Sequence, residues 1–270
     1  MLDHRRISRS LAGASIGHQI DYHSSLTSTN DRALALARQG YPHGLVVLAD
    51  SQTAGRGRRG NDWESPAGLN LYMTVLLRPG RDLSVPRWPR LTTLIALALC
   101  RAIEEEIPEL QALIKWPNDI YLGDRKVAGI LAESGQENDG VGGEGSRFVV
   151  LGTGVNVHAR PEDLSAELRA RATSLATAAP RFACSREAVA ISYLRHLAAL
   201  LPEIESGFGV LLGEVSTRSW LLGRDVVWNS ESGAHSGHAL GLDSDGQLRV
   251  RLPDGSEQSL GSVESIRIRE

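Results

Sequence analysis

The chain has 270 residues, enough for a main domain and a smaller one, and 41% of them are hydrophobic, which indicates a folded rather than a disordered protein. The formal net charge of −3 argues against bulk electrostatic binding to nucleic acid or to an acidic membrane, so any anion-binding role must come from a local cluster. The two cysteines, Cys100 and Cys184, lie far apart, which favours reduced thiols. The first twenty residues contain no apolar core of signal-peptide length, and the longest apolar run, at 94–100, is too short to span a membrane, so we expect a soluble cytoplasmic protein.

The N-terminal part of the chain predicts a capped helix. Residues 26–39 place apolar side chains at helical spacing, and either Ser28 or Thr29 can cap the start of the helix. Residues 1–10 are rich in charge, and we expect them to be at most a basic tail.

The later elements alternate without the regular repeat of a parallel α/β protein. We predict strands at 44–50, 70–79, 112–116 and 147–157, a hairpin at 119–134, and helices at 86–107, 185–206 and 209–221. Short strands at close spacing follow from residue 223 and indicate a small β-barrel. The order predicts an α+β fold: a mixed, largely antiparallel sheet flanked by helices in a domain of residues 1–222, and a small barrel domain of residues 223–270.

Residues 55–60 read GRGRRG and match the G-x-G-x-x-G pattern of dinucleotide-binding turns. That turn requires a helix after its third glycine, whereas a tryptophan, a proline and a strand follow here, so the context argues against it. The glycines permit positive φ and close approach to a ligand, and the arginines suit phosphate or carboxylate. A loop that folds over an anionic ligand is one interpretation, and a solvated basic turn is the other.

Three more polar or glycine-rich stretches interrupt apolar strands. They are KWPND at 115–119, DRKVAGILAE at 124–133 and GTGVNV at 152–157. Taken singly, they suit an ordinary turn, a hairpin with a surface lysine, and a β-bulge. Taken together with residues 55–60, they predict one shared cleft. Binding of RNA or DNA by RGRRG is disfavoured, because acidic residues outnumber basic ones and aromatic residues make up only 5% of the chain.

These stretches, preceded by STN at 28–30, resemble the biotin protein ligases in order and separation, from about residue 20 to residue 270. The resemblance implies a catalytic domain like that of class II aminoacyl-tRNA synthetases and a C-terminal barrel of the SH3 type. It implies a ligase that makes biotinyl-5′-AMP from biotin and ATP, with Mg²⁺, and transfers the biotinyl group to one lysine of a biotin carboxyl carrier domain, as in acetyl-CoA carboxylase. The alternative is a lipoate or octanoate ligase or transferase of related fold, which lacks the pairing of KWPND with GRGRRG.

The resemblance also assigns roles by position. It makes Lys126, Arg58 and Asp119 the expected catalytic residues, with Asp119 a candidate Mg²⁺ ligand. The expected biotin-binding residues are Ser28, Thr29, Asn30, Gln52, Arg56, Gly57, Arg58 and Lys126. The expected adenylate- and ATP-binding residues are Arg56, Arg58, Trp63, Asn118 and Asn156, with Lys115 and Gly154 in the same cleft.

Some members of this family carry an additional DNA-binding domain at the N-terminus. Fewer than thirty residues precede STN, too few for such a domain, so we expect the monofunctional type, with no nucleic-acid or membrane partner. The resemblance leaves a homodimer open.

Overall fold

The computed structural model describes residues 1–79, 87–137, 147–230, 233–261 and 263–269. The larger of its two sheets contains β1 (Ile20–His23), β2 (Val46–Ala49), β3 (Leu71–Leu77), β4 (Ala112–Lys115), β5 (Asp119–Leu122), β6 (Arg125–Gln136) and β7 (Arg147–Val155). Their order is β1-β2-β3-β7-β6-β5-β4. Within the described chain, β1 and β2 are parallel and the other neighbouring pairs of this sheet are antiparallel, which confirms the predicted sheet type.

Helices cover both faces of this sheet. They are α1 (His4–Ser10), α2 (Thr29–Arg38), α3 (Pro89–Glu106), α4 (Ala166–Arg169), α5 (Leu175–Ala178), α6 (Arg186–Leu200), α7 (Glu203–Ser206) and α8 (Phe208–Thr217). Buried residues of α3 and α6 form the main core with one face of the sheet, whereas α2 packs on the other face against β2, β3 and β7. Strand β3 is buried along its whole length, because both of its faces are covered.

The predicted helices are present with shifted ends. The prediction of 86–107 becomes α3 from Pro89, a residue suited to the first helical position, while residue 86 lies outside the described residues. The predicted helix at 185–206 is interrupted near Pro202, so that α6 ends at Leu200 and α7 follows.

The prediction that residues 1–10 are a basic tail is wrong. They contain α1, whose first turn is capped by the Asp3 carboxylate, which accepts a hydrogen bond from the Arg6 amide at 2.9 Å. Leu2, Ile7 and Leu11 are almost fully buried in the main core. The charged residues between these apolar positions obscured the helical pattern in the sequence, although one face of the helix is buried.

The β-bulge interpretation of GTGVNV is also wrong. Gly152 and Gly154 lie inside β7, and the register of β7 with both β3 and β6 runs through them without a shift. Their role must therefore lie in what approaches the strand at these two positions.

The C-terminal part forms a second, five-stranded sheet. It contains β8 (Asp225–Ser230), β9 (Gly233–Leu242), β10 (Leu248–Arg251), β11 (Glu257–Leu260) and β12 (Ser265–Ile268), in the order β11-β10-β9-β8-β12. All five strands contribute to one apolar cluster, which also includes Trp116 and Trp220 from the preceding part of the chain. The domain boundary between residues 222 and 223 stays a prediction. Among the described helices, none is both long and apolar enough to cross a membrane.

Candidate active site

A cavity of about 260 Å³ opens between the GRGRRG loop and the strands β5, β6 and β7. With one exception, the predicted site residues line it: Ser28, Thr29, Asn30, Gln52, Arg56, Gly57, Arg58, Trp63, Asn118, Asp119 and Lys126. Lys115 and Gly154 also line it. The four sequence stretches, which are spread between residues 55 and 157, therefore meet in one place, as predicted.

Asn156 is the exception. It is buried, and its side-chain amide is bonded away from the cavity: its nitrogen donates to the Thr173 carbonyl at 3.1 Å, and its oxygen accepts from the Asn70 amide at 3.3 Å. The structure thus places Asn156 beneath the site, and its predicted contact with an adenylate stays a prediction.

One end of the cavity is built by the start of α2. Of the two predicted capping residues, Ser28 precedes the helix and Thr29 is its first residue, and the Ser28 hydroxyl makes no capping bond. The amide and the hydroxyl of Thr29 both donate to the Gln52 side-chain oxygen, at 2.8 and 3.1 Å. The Asn30 oxygen accepts from the Thr74 hydroxyl at 2.7 Å, and its nitrogen donates to Glu133 at 2.7 Å. These bonds hold the polar groups of Thr29, Asn30 and Gln52 in fixed orientations, and together with Ser28 these groups form a polar row at the start of α2.

Glycines of β6 and β7 allow side chains to lie directly on the sheet. A Cβ at Gly152 would lie 2.1 Å from the Asn30 side-chain oxygen, and one at Gly154 would lie 2.4 Å from the Trp63 indole. Gly129 faces Gly154 across the two strands, and a Cβ there would lie 2.9 Å from the same indole. The paired glycines form a flat surface under Trp63, and larger residues would displace it.

The hairpin of β5 and β6 brings a cation and a carboxylate together. The Lys126 ammonium lies 2.6 Å from the Asp119 carboxylate and 5.3 Å from the centre of the Trp63 ring. The contacting Asp119 oxygen makes no well-aligned hydrogen bond, so the contact is best described as an ion pair.

The arginines of residues 55–60 point in three directions. Arg56 binds the Asp31 and Glu133 carboxylates, at 2.6 and 2.8 Å. Arg59 lies 3.4 Å from Glu264 of the C-terminal part. Arg58 donates to the Asn118 side-chain oxygen at 3.1 Å, and among the described residues no carboxylate lies within salt-bridge distance of it. Burial lowers the pKa of the Arg58 guanidinium from its very high ordinary value, and it stays cationic at neutral pH.

The expectation of positive φ for the loop glycines needs correction. Among the described residues of this loop, Gly60 and the non-glycine residue Arg59 have positive φ, at 77° and 58°. Gly55 serves close packing instead, because a Cβ there would lie 2.4 Å from the Trp63 carbonyl oxygen.

Lys115 gives the cavity a second ammonium group. Burial lowers the pKa of Lys115, whose nitrogen donates to the Tyr121 hydroxyl at 3.1 Å and lies over the Tyr121 and Trp220 rings. Lys115 and Lys126 are the only lysines of the sequence, so all of the lysine in this chain lies at the cavity.

Sequence reasoning missed the contribution of the C-terminal sheet to the cavity wall. Val263, Glu264, Ser265 and Ile266 line the cavity although they belong to no recognisable motif. The alternation of apolar and polar residues predicts a strand there, but no local signal shows what that strand approaches.

Comparisons with known proteins identify relatives of this chain. The model of the biotin/lipoate A/B protein ligase family matches residues 22–146. The chain is 34% identical to the bifunctional ligase/repressor BirA of Bacillus subtilis, over 89% of this chain and 71% of that protein. It is 33% identical to the biotin--[acetyl-CoA-carboxylase] ligase of Mycobacterium tuberculosis, over 92% of this chain and 89% of that protein. A structure of the Aquifex aeolicus biotin protein ligase in complex with biotin and ATP aligns with a TM-score of 0.78 and 28% identity, over 93% of this chain and 99% of the other.

Proposed function

Because this chain belongs to the biotin protein ligases of the biotin/lipoate A/B protein ligase family, we propose that it activates biotin with ATP and transfers the biotinyl group to a protein lysine. In the first step the biotin carboxylate attacks the α-phosphate of ATP, giving biotinyl-5′-AMP and pyrophosphate. In the second step the lysine amine attacks the acyl carbon, and AMP leaves with the electrons of the broken C–O bond. The observation that carries the proposal is the single cavity that unites the polar row at the start of α2 with Lys126 and Arg58.

The charge distribution suits the first step. A carboxylate and a phosphate repel each other, and fixed positive charge in a partly desolvated site lowers that repulsion. Arg58 and Lys126 supply this charge at the cavity. Asp119 offsets part of the Lys126 charge, and Arg56 has two carboxylate partners that offset more of its charge, so we assign Arg56 to shaping the loop.

The polar row suits the other end of biotin. Its ureido group has one carbonyl acceptor and two N–H donors, and the Asn30, Thr29 and Gln52 side chains offer fixed partners of both kinds. Trp63, held flat on the paired glycines, offers an apolar wall. We propose that the ring end of biotin lies near residues 28–30 and its carboxylate near Lys126.

Magnesium fits this site as an ion carried by the phosphates of ATP. Among the described residues no group of three or more His, Cys, Asp or Glu side chains could hold a metal. Asp62, Asp119 and Glu264 are the described carboxylates that line the cavity, and we assign contact with the ion to Asp119, which lies beside Lys126. Mg²⁺ commonly binds through one or two carboxylates, substrate phosphates and water. When bound, it would neutralise phosphate charge. Asp119 itself orients Lys126 and is placed to accept a hydrogen bond from an incoming amine.

We propose a biotin carboxyl carrier domain as the acceptor, because the relative from Mycobacterium tuberculosis is named for acetyl-CoA carboxylase. The cytoplasmic location, the homodimer and the expected lack of nucleic-acid binding stay predictions.

The test is pyrophosphate release from ATP and Mg²⁺, with biotin or lipoate supplied separately. We expect release with biotin and formation of biotinyl-5′-AMP. Release with lipoate and none with biotin would replace the proposal with the lipoate alternative. Calorimetric titration with biotin, before and after addition of ATP and Mg²⁺, would separate substrate binding from chemistry.

A further inference from the structure

A turn of the C-terminal sheet, residues 243–247, lies beneath the KWPND segment. The Trp116 indole donates a hydrogen bond to the Gly246 carbonyl at 3.1 Å, and Trp116 is only 7% exposed. Asn118 and Asp119 follow Trp116 by two and three residues and carry the groups that contact Arg58 and Lys126. The buried indole is therefore the anchor of a short segment that ends in the active site.

The same turn is held from its other side by Arg90 of α3. This guanidinium is 9% exposed, donates to the Asp245 carboxylate at 2.7 Å and to the Ile204 carbonyl at 3.2 Å, and stacks on the Phe208 ring. Because Arg90 is buried and has several partners, it fixes the turn of residues 243–247 more firmly than an exposed ion pair would.

The turn is also rigid in itself. The Asp243 carboxylate accepts hydrogen bonds from the amides of Asp245 and Gln247, at 3.0 and 2.9 Å. Gly246 has a φ of 80°, and a Cβ there would lie 3.0 Å from the Thr93 hydroxyl of α3. The turn consequently has little room to shift along α3.

We propose that residues 243–247 are a positioning element of the active site. They hold the Trp116 indole, and through it they fix the Asn118 amide and the Asp119 carboxylate relative to Arg58 and Lys126. Arg90 and Asp245 are outside the set of described residues that line the cavity, so they act through Trp116 and not by contact with substrate. The inference rests on the proposed function, because it concerns the rate of adenylation.

The experiment measures single-turnover formation of biotinyl-5′-AMP at saturating biotin, ATP and Mg²⁺. The variants are Asp245→Ala, Trp116→Phe and the double variant. Asp245 is half-exposed, so its replacement leaves no internal cavity. Glu257→Ala is the matched control, because it removes an exposed ion pair with Arg249 of the same sheet. Calorimetry gives the Kd for biotin, and thermal denaturation checks folding.

We expect each single variant to lower the adenylation rate constant about tenfold, the scale of a sub-ångström misplacement of reacting groups, with the Kd for biotin changed less than about twofold. The double variant should be no slower than Trp116→Phe alone, because both changes break the same chain of contacts. Glu257→Ala should match the wild type. Should Trp116→Phe fail to fold, Arg90→Met must reproduce the effect of Asp245→Ala.

An adenylation rate of Asp245→Ala within twofold of the wild type would overturn the inference. The inference would also be overturned if the rate losses of the two single variants multiplied in the double variant. The same holds if the affinity for biotin fell by the same factor as the adenylation rate. Failure of the wild type to form biotinyl-5′-AMP would instead refute the proposed function, and the inference with it.

Discussion

The Lys126 ammonium and the Asp119 carboxylate lie 2.6 Å apart on the two strands of one hairpin, at the wall of the cavity. Asp119 holds the end of the long Lys126 side chain in a defined position, and Arg58 is held by its hydrogen bond to the Asn118 side-chain oxygen. An anionic ligand entering the cavity would therefore meet two cations whose positions are set before it binds, which is the arrangement that favours the reaction of two anions.

Lys126→Met should abolish adenylation while biotin still binds. The substitution removes the charge that offsets the repulsion between carboxylate and α-phosphate, but leaves the polar row at residues 28–30 intact. Pyrophosphate release and calorimetry measure the two effects separately. Arg125→Met, at the exposed neighbouring position, is the control and should behave as the wild type. Normal adenylation by Lys126→Met would remove this residue from the site.

Arg58→Ala should weaken retention of biotinyl-5′-AMP by about 1–3 kcal/mol, the scale of a lost charged hydrogen bond. The released anhydride should label lysines of bystander proteins. The rate of adenylate release and mass spectrometry of a lysine-rich bystander give the result. Arg249→Ala, at an exposed arginine of the C-terminal sheet, should leave release unchanged. Unaltered retention in Arg58→Ala would count against the loop assignment.

Gly154→Ala should lower the affinity for biotin about tenfold, near 1.4 kcal/mol. The added methyl group would lie 2.4 Å from the Trp63 indole and push it off the sheet. Calorimetric titration measures the change. Gly213→Ala in α8 is a suitable control, since no described atom beyond its neighbours and its own helix backbone lies within 4 Å of the new methyl group, and it should bind biotin normally. Equal affinities for the two variants would show that Trp63 forms no wall of the biotin site.

Glu214→Gln should reduce stability by about 1 kcal/mol at pH 7, and the difference should shrink in acid. A hydrogen bond from Arg101, aided by the charge of Arg218, lowers the pKa of Glu214 below its ordinary value of 4.5. A lowered carboxylate pKa gives stability that is fully present above pH 4.5 and is lost as pH falls through the folded-state pKa.

Urea unfolding at several pH values from 7 down to about 3 measures this effect, because the loss is expected below pH 4.5. Glu167→Gln, which removes a highly exposed ion pair with Arg171, should change stability little at any of them. A stability loss for Glu214→Gln that stays constant across the range would contradict the assigned ionisation.

Much of the fold and the site could be predicted from sequence, because the signals were local. Strand β7 and the hairpin of β5 and β6 follow from apolar runs and turn residues, and the meeting of KWPND with GRGRRG follows from the resemblance to the ligase family. The burial of α1 could not be predicted, because Leu2, Ile7 and Leu11 are separated by charged residues in the sequence. Their burial depends on the packing of α1 against α6, which is distant in the chain.

The contacts that the C-terminal sheet makes with the rest of the chain could not be predicted from the sequence either. The ion pair of Glu264 with Arg59 and the bond from Trp116 to Gly246 each join residues more than a hundred positions apart, and neither side carries a motif for its partner. Such long-range pairings depend on how the two sheets pack together, which the sequence pattern of either sheet alone does not determine.

We propose that the cavity holds biotinyl-5′-AMP between residues 55–60 and Lys126. A crystal structure of the protein with this adenylate tests it most directly. We predict that Arg58 and Lys126 lie within hydrogen-bonding distance of the acyl-phosphate group and that Trp63 packs against the bound ligand. If residues 55–60 turn into solvent and the adenylate binds elsewhere or leaves the cavity empty, this loop does not hold the adenylate.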